Sequence, residues 1–225
     1  FSSYITDLER DDDPESLLAL IDRISTNHSF FFREADHFDF LLTNILPELL
    51  DSGLDPRTMR IWSAGSAEGQ EAYTIAMALH DHFGTSYDWA EPIILGTDIS
   101  VSALRQAKNA TFPKAALGSI PPKYRRYVTS LDSDTISVSN EIRNMVTFRR
   151  LNLNQPNYPF QNKFHVVFCR NVMIYFDSET KTEMASRFSR YVCRNGYLVI
   201  GHSESLGRNA SGFQYVRPTV YKRWE

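Results

Sequence analysis

The chain has 225 residues, 42% hydrophobic and 23% charged, with a net charge of -3. Its apolar content suits one large folded domain and excludes a disordered chain, and the slight acidic balance lacks the basic excess of a general nucleic-acid binder. Cys169 and Cys193 lie in apolar runs and read as buried thiols of a reducing compartment, while no apolar run approaches the roughly eighteen residues of a membrane span, so a soluble protein without membrane insertion is expected.

Asp11-Asp12-Asp13-Pro14-Glu15 is a helix start, with aspartate as N-cap and proline at the first helical position. Leu17, Leu18, Leu20, Ile21 and Ile24 give that helix an apolar face, which should end near Thr26. Because the chain starts at Phe1 rather than Met, residues 1–26 are expected to be a helical N-terminal remnant or linker, with residues 27–225 forming the main domain. Asn27-His28-Ser29-Phe30-Phe31-Phe32-Arg33 then holds three aromatics between polar residues. Composition alone leaves two readings open there, a phenylalanine core beside a solvated arginine or polar groups reaching a ligand. Phe38, Leu41, Leu42, Ile45, Leu46 and Leu49 form a second amphipathic helix that stops before Asp51-Ser52-Gly53.

The stretch from Arg60 to Leu79 organises the rest. It reads as a short strand, a turn punctuated by Gly65 and Gly69, and a helix with apolar residues at Ala72, Ile75, Ala76 and Leu79. Two glycines between a strand and a helix suit either a plain connection or a corner where backbone approaches a ligand. No lysine lies between Arg60 and Leu79, which argues against a P-loop, and Glu68 and Glu71 stand where phosphates would go. Acids here suit a ligand with hydroxyls and a positive charge, such as the ribose and sulfonium of S-adenosylmethionine.

Pro92-Ile93-Ile94-Leu95-Gly96-Thr97-Asp98 reads as a second buried strand ending in a carboxylate, and Ser100 caps the helix through Val101, Leu104 and Ala107. Asp98 is either an ordinary cap or an acceptor for ribose hydroxyls, since ligands of parallel sheets bind beyond the carboxyl ends of strands. The alternation of strand and helix predicts a doubly wound α/β sheet. Residues 119–147 break the rhythm. Ile120 to Val128 is basic and aromatic, and Thr135 to Val138 and Val146 to Phe148 look like short strands, so a small β insertion is expected there. Lys123, Arg125 and Arg126 in it read by default as a solvated face. Leu151-Asn152-Leu153 follows, then the buried strand Phe164 to Cys169 ending in Arg170-Asn171, and then Val172 to Phe176 leading to Asp177 and a helix through Met184, Phe188 and Tyr191. Gly196 to Gly201 and Thr219 to Lys222 are the last expected strands.

Two chemistries are set aside. Gly201-His202-Ser203-Glu204-Ser205 has serine where a nucleophile elbow closes with glycine, and it follows the penultimate strand rather than a central one. His80 and His82 are two apart and diverge on a helix, while His28, His37, His165 and His202 lack ligand spacing, so no metal is expected.

Four motifs occur in order: Asn27-x-Ser29-x-Phe31-Phe32-Arg33, Trp62-Ser63-Ala64-Gly65 through Met77, Gly96-Thr97-Asp98-Ile99-Ser100, and Phe168 through Phe176, with Gly201 through Leu206 as a fifth. With these the chain, from about Asn27 to Tyr221, resembles the CheR-type chemotaxis receptor methyltransferases. The resemblance implies a Rossmann-like S-adenosylmethionine-dependent methyltransferase sheet with a small antiparallel β-subdomain. It implies methyl transfer to glutamate carboxylates of bacterial chemoreceptors in the cytoplasm, leaving S-adenosylhomocysteine. Carried over residue by residue, the cofactor contacts fall on Asn27, Ser29, Arg33, Glu71, Asp98, Asn152, Leu153, Arg170 and Asn171, with Gly65 in the loop, and Arg33 and Tyr175 flank the meeting place of methyl and carboxylate. The partner implied is the receptor's cytoplasmic helical domain. Ala67-Glu68-Gly69-Gln70-Glu71-Ala72-Tyr73 departs from the family's Ser-Thr-Gly-Glu-Glu-Pro-Tyr yet keeps the acid at Glu71 in register. Thr129 to Asp134 has no glycine, so the tether some members make to a receptor's C-terminal peptide is not expected. The competing readings are a different acceptor, such as a small carboxylic acid or RNA, and a non-catalytic S-adenosylmethionine-binding signalling module.

Overall fold

The structure is a computed structural model that describes residues 22, 29–84, 87, 89, 91–207 and 212–224, with the backbone alone at Tyr175. Apart from Asp22, the helix expected over residues 11–26 lies outside the described residues, as does Asn27.

The first described helix, α1 (Asp36–Phe40), passes through a π-helical turn (Leu41–Ile45) into α2 (Leu46–Asp51), burying Phe38, Leu41, Ile45, Leu46 and Leu49 on one side. Strand β1 (Ile61–Ala64) is buried throughout and feeds α3 (Gln70–Phe83). Then come β2 (Ile94–Asp98) and α4 (Val101–Asn109), whose N-cap Ser100 accepts a hydrogen bond from the Ala103 N–H, as its position before the apolar run predicts. The three short strands β3 (Thr111–Pro113), β4 (Val128–Ser130) and β5 (Thr135–Val138) pair antiparallel in the order β3-β5-β4. After α5 (Asn140–Arg143), β6 (Val146–Arg150) returns to the main sheet and pairs parallel with β2. The expected short strand at Val146 is therefore an edge of the main sheet, and the third strand of the small one is Thr111–Pro113, which its two residues around Phe112 were too few to announce. Next are β7 (Phe164–Cys169), α6 (Ser178–Tyr191) with N-cap Asp177, β8 (Val192–Ile200), β9 (Phe213–Arg217) and β10 (Val220–Arg223).

The main sheet has seven strands in the order β6-β2-β1-β7-β8-β10-β9, parallel from β6 to β8 and antiparallel beyond. Period-two alternation divides its side chains between two cores. Ile61, Val166, Phe168, Tyr197 and Val199 face the core shared with α1–α4, while Trp62, Val167, Cys169, Leu198 and Ile200 face the one closed by Met184, Ala185 and Phe188 of α6. That is why the central strands read as continuous apolar runs: both faces are covered. The fully buried Trp62 packs on Tyr158, Phe160, Phe164 and Phe188 with ring centroids 4.9–5.3 Å apart, and its indole N–H donates to Thr97 Oγ1 at 2.8 Å.

From β1 the chain winds outward to β2 and β6, then crosses back to β7 on the other side of β1. The gap between the carboxyl ends of β1 and β7 is a topological switch point, where open α/β sheets bind ligands.

Candidate active site

The turn after β1 is held at the switch point by backbone bonds: the N–H groups of Gly65 and Ser66 both donate to Thr97 O at 2.8 Å. Gly65 has φ +78° and Gly69, ahead of α3, has φ +92°, so a side chain at either would be strained. A Cβ at Gly65 would meet Val172 Cγ2 at 2.4 Å, and one at Gly69 would meet Phe148 Cζ at 2.9 Å. Both glycines therefore serve close packing within the protein as well as the turn.

Asp98 ends β2 with its carboxylate buried. Oδ2 accepts from the Ala67 N–H at 2.8 Å and Oδ1 from the Ser100 N–H at 2.9 Å, so one side chain joins the β1 and β2 turns. Burial raises its pKa against the opposing pull of those N–H groups. The Leu151 N–H donates to Asp98 O at 2.9 Å, bringing the Leu151-Asn152-Leu153 segment beside it. There Asn152 is exposed and turned on itself by the Asn154 N–H, while Leu153 is buried and its carbonyl accepts from Tyr158 and the buried Arg187.

On the other side lies an ion-pair network. Arg170, just past β7, is buried against the ring of Phe38, with its guanidinium carbon 5.2 Å from the centroid. Its Nη1 meets Glu71 Oε2 at 3.0 Å, its Nη2 meets Glu34 Oε2 at 3.1 Å, and the same Nη2 donates to Arg33 O. Glu71 also accepts from Ser63 Oγ at 2.7 Å. Burial pushes the Glu71 carboxyl up despite Arg170. At Glu34 burial pushes the same way, but the charge of Arg170 and the hydrogen bonds from Asn171 and Arg170 outweigh it and leave the carboxyl below its ordinary value.

Asn171 takes a left-handed backbone, φ +59°, and is gripped twice: its side-chain amide donates to Glu34 Oε1 at 3.2 Å and its backbone N–H to Glu204 Oε2 at 2.9 Å. The buried Glu204 also accepts from the N–H groups of Gly201 at 2.6 Å and Ile174 at 3.2 Å. Glu34, itself at φ +54°, accepts from the His202 N–H at 3.2 Å. Left-handed non-glycine residues cost about 1–2 kcal/mol each and cluster where a constellation is held in place. Glu34 and Glu204 are the residues holding this edge together that spacing did not reveal. Glu204 stands inside the fifth motif, after Ser203, and Glu34 directly follows the first, beside Arg33, so an acid in or next to such a run was the available signal.

Of the expected site residues, the structure brings Gly65, Glu71, Asp98, Leu153, Arg170 and Asn171 to the carboxyl ends of β1, β2 and β7, with Asn152 on their rim. Arg33 joins them through its carbonyl, and its guanidinium lies over the ring of Phe30, 5.7 Å from the centroid. Ser29 is half-buried just ahead of Phe30. Tyr175 closes the 3₁₀ turn Met173–Tyr175 next to this edge, but its side chain, like Asn27, lies outside the described residues. Around the loop and the end of β7, Ser66 Oγ, Gln70 Oε1 and Arg170 Nε are among the buried polar atoms with no hydrogen-bond partner. Buried polar atoms are nearly always paired, so these call for a polar ligand.

Residues 27–222 match the family described as CheR methyltransferase, SAM binding domain. The chain belongs to that family. It is 41% identical to the chemotaxis protein methyltransferase of Borreliella burgdorferi, over 99% of this chain and 80% of that one. A probable chemotaxis protein methyltransferase of Rhizobium etli is 35% identical over 90% of this chain and 77% of its own. The Escherichia coli chemotaxis protein methyltransferase is 34% identical over 98% and 76%.

Membership makes the chain an S-adenosylmethionine-dependent methyltransferase, and the observed residues fit that cofactor. The buried carboxylate of Asp98, the partly exposed one of Glu71 and unpartnered polar atoms around the loop provide acceptors and donors for a nucleoside with an amino-acid tail. Among the described residues no helix is long and apolar enough to cross a membrane.

Proposed function

We propose that the chain methylates glutamate side-chain carboxylates of bacterial chemoreceptors, forming glutamyl methyl esters and S-adenosylhomocysteine. The observation that carries this reading is the run of chemotaxis methyltransferase relatives along nearly the whole chain. Bound S-adenosylmethionine supplies a methyl group on a sulfonium, an electrophile that is already activated. The acceptor needs little more, because a free glutamate has a pKa of about 4.3 and is ionised at neutral pH without a general base.

What remains for the chain is placement and exclusion of water. Asp98 offers its outer lone pairs to ribose hydroxyls, while Asn152 and Leu153 border the base, and Asn27, Ser29, Arg33, Glu71, Arg170 and Asn171 hold the amino-acid end. Gly65 keeps the loop against Val172 so that these groups stay in register. Arg33 and Tyr175 are the catalytic pair: a planar cationic fork and a phenol that both donate to the incoming carboxylate. A rigid ion pair would stabilise the ground state as well, so Arg33 contributes orientation more than affinity. No metal takes part in this transfer. The partner is the receptor's cytoplasmic helical domain, which puts the reaction in the cytoplasm.

The test is mass spectrometry of a chemoreceptor cytoplasmic fragment after incubation with the protein and S-adenosylmethionine. Methyl groups on glutamate peptides are expected. Methylation elsewhere would mean a different acceptor, and no methylation despite cofactor binding would mean a signalling module.

A further inference from the structure

Beside the methyl-transfer edge, the chain brings together three groups that are far apart in sequence. Ligating atoms of Glu34, His37 and His202 all lie within 4.8 Å of one another. Thr219 Oγ1 donates to Pro218 O at 2.5 Å, so towards His37 Nε2, 2.7 Å away, it acts as acceptor. In the tautomer that this arrangement favours, the His37 proton sits on Nε2 and Nδ1 carries a bare lone pair. Nδ1 has no hydrogen-bond partner, the residue is 1% exposed, and Glu34 Oε2 faces it at 3.5 Å. A buried lone pair opposite a carboxylate is relieved by a cation. The rings of His37 and His202 meet edge to face with centroids 4.8 Å apart, and Asp36 Oδ1 lies 3.0 Å from His202 Nε2.

We propose that Glu34, His37 and His202 form a binding site for a divalent transition-metal ion of the zinc class. Two imidazoles and one carboxylate are a donor set such ions accept, with Thr219 orienting one ring from behind and Asp36 beside the other. Ligand atoms around a tetrahedral ion stand about 3.4 Å apart for bonds of about 2.1 Å, so the site contracts on binding. His202, half-exposed, is the member free to swing inward. The charge permits it: Glu34, Glu71 and Asp36 outnumber Arg170 and Arg217, with which they pair. The site lies outside the transfer chemistry but shares Glu34 with the Arg170 network, so a bound ion would bear on cofactor affinity.

The test is calorimetric titration of the whole chain with zinc chloride, and of the same chain with cobalt chloride read by visible absorption. One equivalent is expected, with binding weakened roughly tenfold or more in His202→Gln and in Thr219→Val, and unchanged in His82→Gln. His202→Gln changes a half-exposed side chain, so its thermal melt should match the parent's. No binding by the parent chain, or parental affinity in His202→Gln, overturns the proposal.

Discussion

At the scale of single residues, Glu34 does the most joining, since one carboxylate ties Arg170, Asn171 and His202 to the segment that carries Arg33. Hydrogen bonds to charged groups contribute about 1.5–3 kcal/mol, so Glu34→Gln should cost about 2 kcal/mol, a fall of roughly 4–8 °C in melting temperature. Cofactor affinity, measured by calorimetry, should drop about tenfold through misplacement of Arg170 and Asn171. The pH dependence has a definite sign. A carboxyl held below its ordinary 4.5 contributes stability above that value and loses it as the pH falls through its lowered pKa. The gap in melting temperature between the parent and Glu34→Gln should therefore be widest near neutrality and shrink as the pH drops below about 4.5. Arg33→Ala should lower the turnover number at saturating acceptor by about tenfold or more, with the cofactor dissociation constant moved much less. An unchanged turnover would remove Arg33 from the catalytic pair.

The elements were largely legible because each carries its own local signal. Ser100 and Asp177 cap the helices their spacing predicts, and Gly65 and Gly69 mark the turn between β1 and α3. What was missed has no local signature. The strand β9 has exposed residues along most of its length, and β3 is only three residues long, so neither offers a periodic apolar run. Gly65→Ala tests the loop. It puts an alanine at φ +78° with its Cβ 2.4 Å from Val172, and should cost about 2–3 kcal/mol and most of the cofactor affinity. Gly65→Ala combined with Val172→Ala should recover part of the stability, leaving the strain of the backbone as the remainder.

Across the molecule, the site is a product of sheet order. Parallel strands aligned their carboxyl ends, so residues read one at a time along the chain, Glu71, Asp98 and Arg170, arrived at one edge as the βαβ rhythm implied. The pairings among them were not legible, since Glu34 and Arg170 stand 136 residues apart and nothing in either segment names the other. The same holds for His37 and His202, which appear isolated in the sequence and share a contact in the fold. The central claim is ester formation on a carboxylate, and the most direct measurement is methyl transfer from labelled S-adenosylmethionine to a chemoreceptor cytoplasmic fragment, followed by mild alkali and counting of volatile methanol. Release of the label by alkali, abolished when the receptor's glutamates are changed to alanine, is the predicted result. Label that stays on the fragment through alkali, or persists without those glutamates, would contradict it.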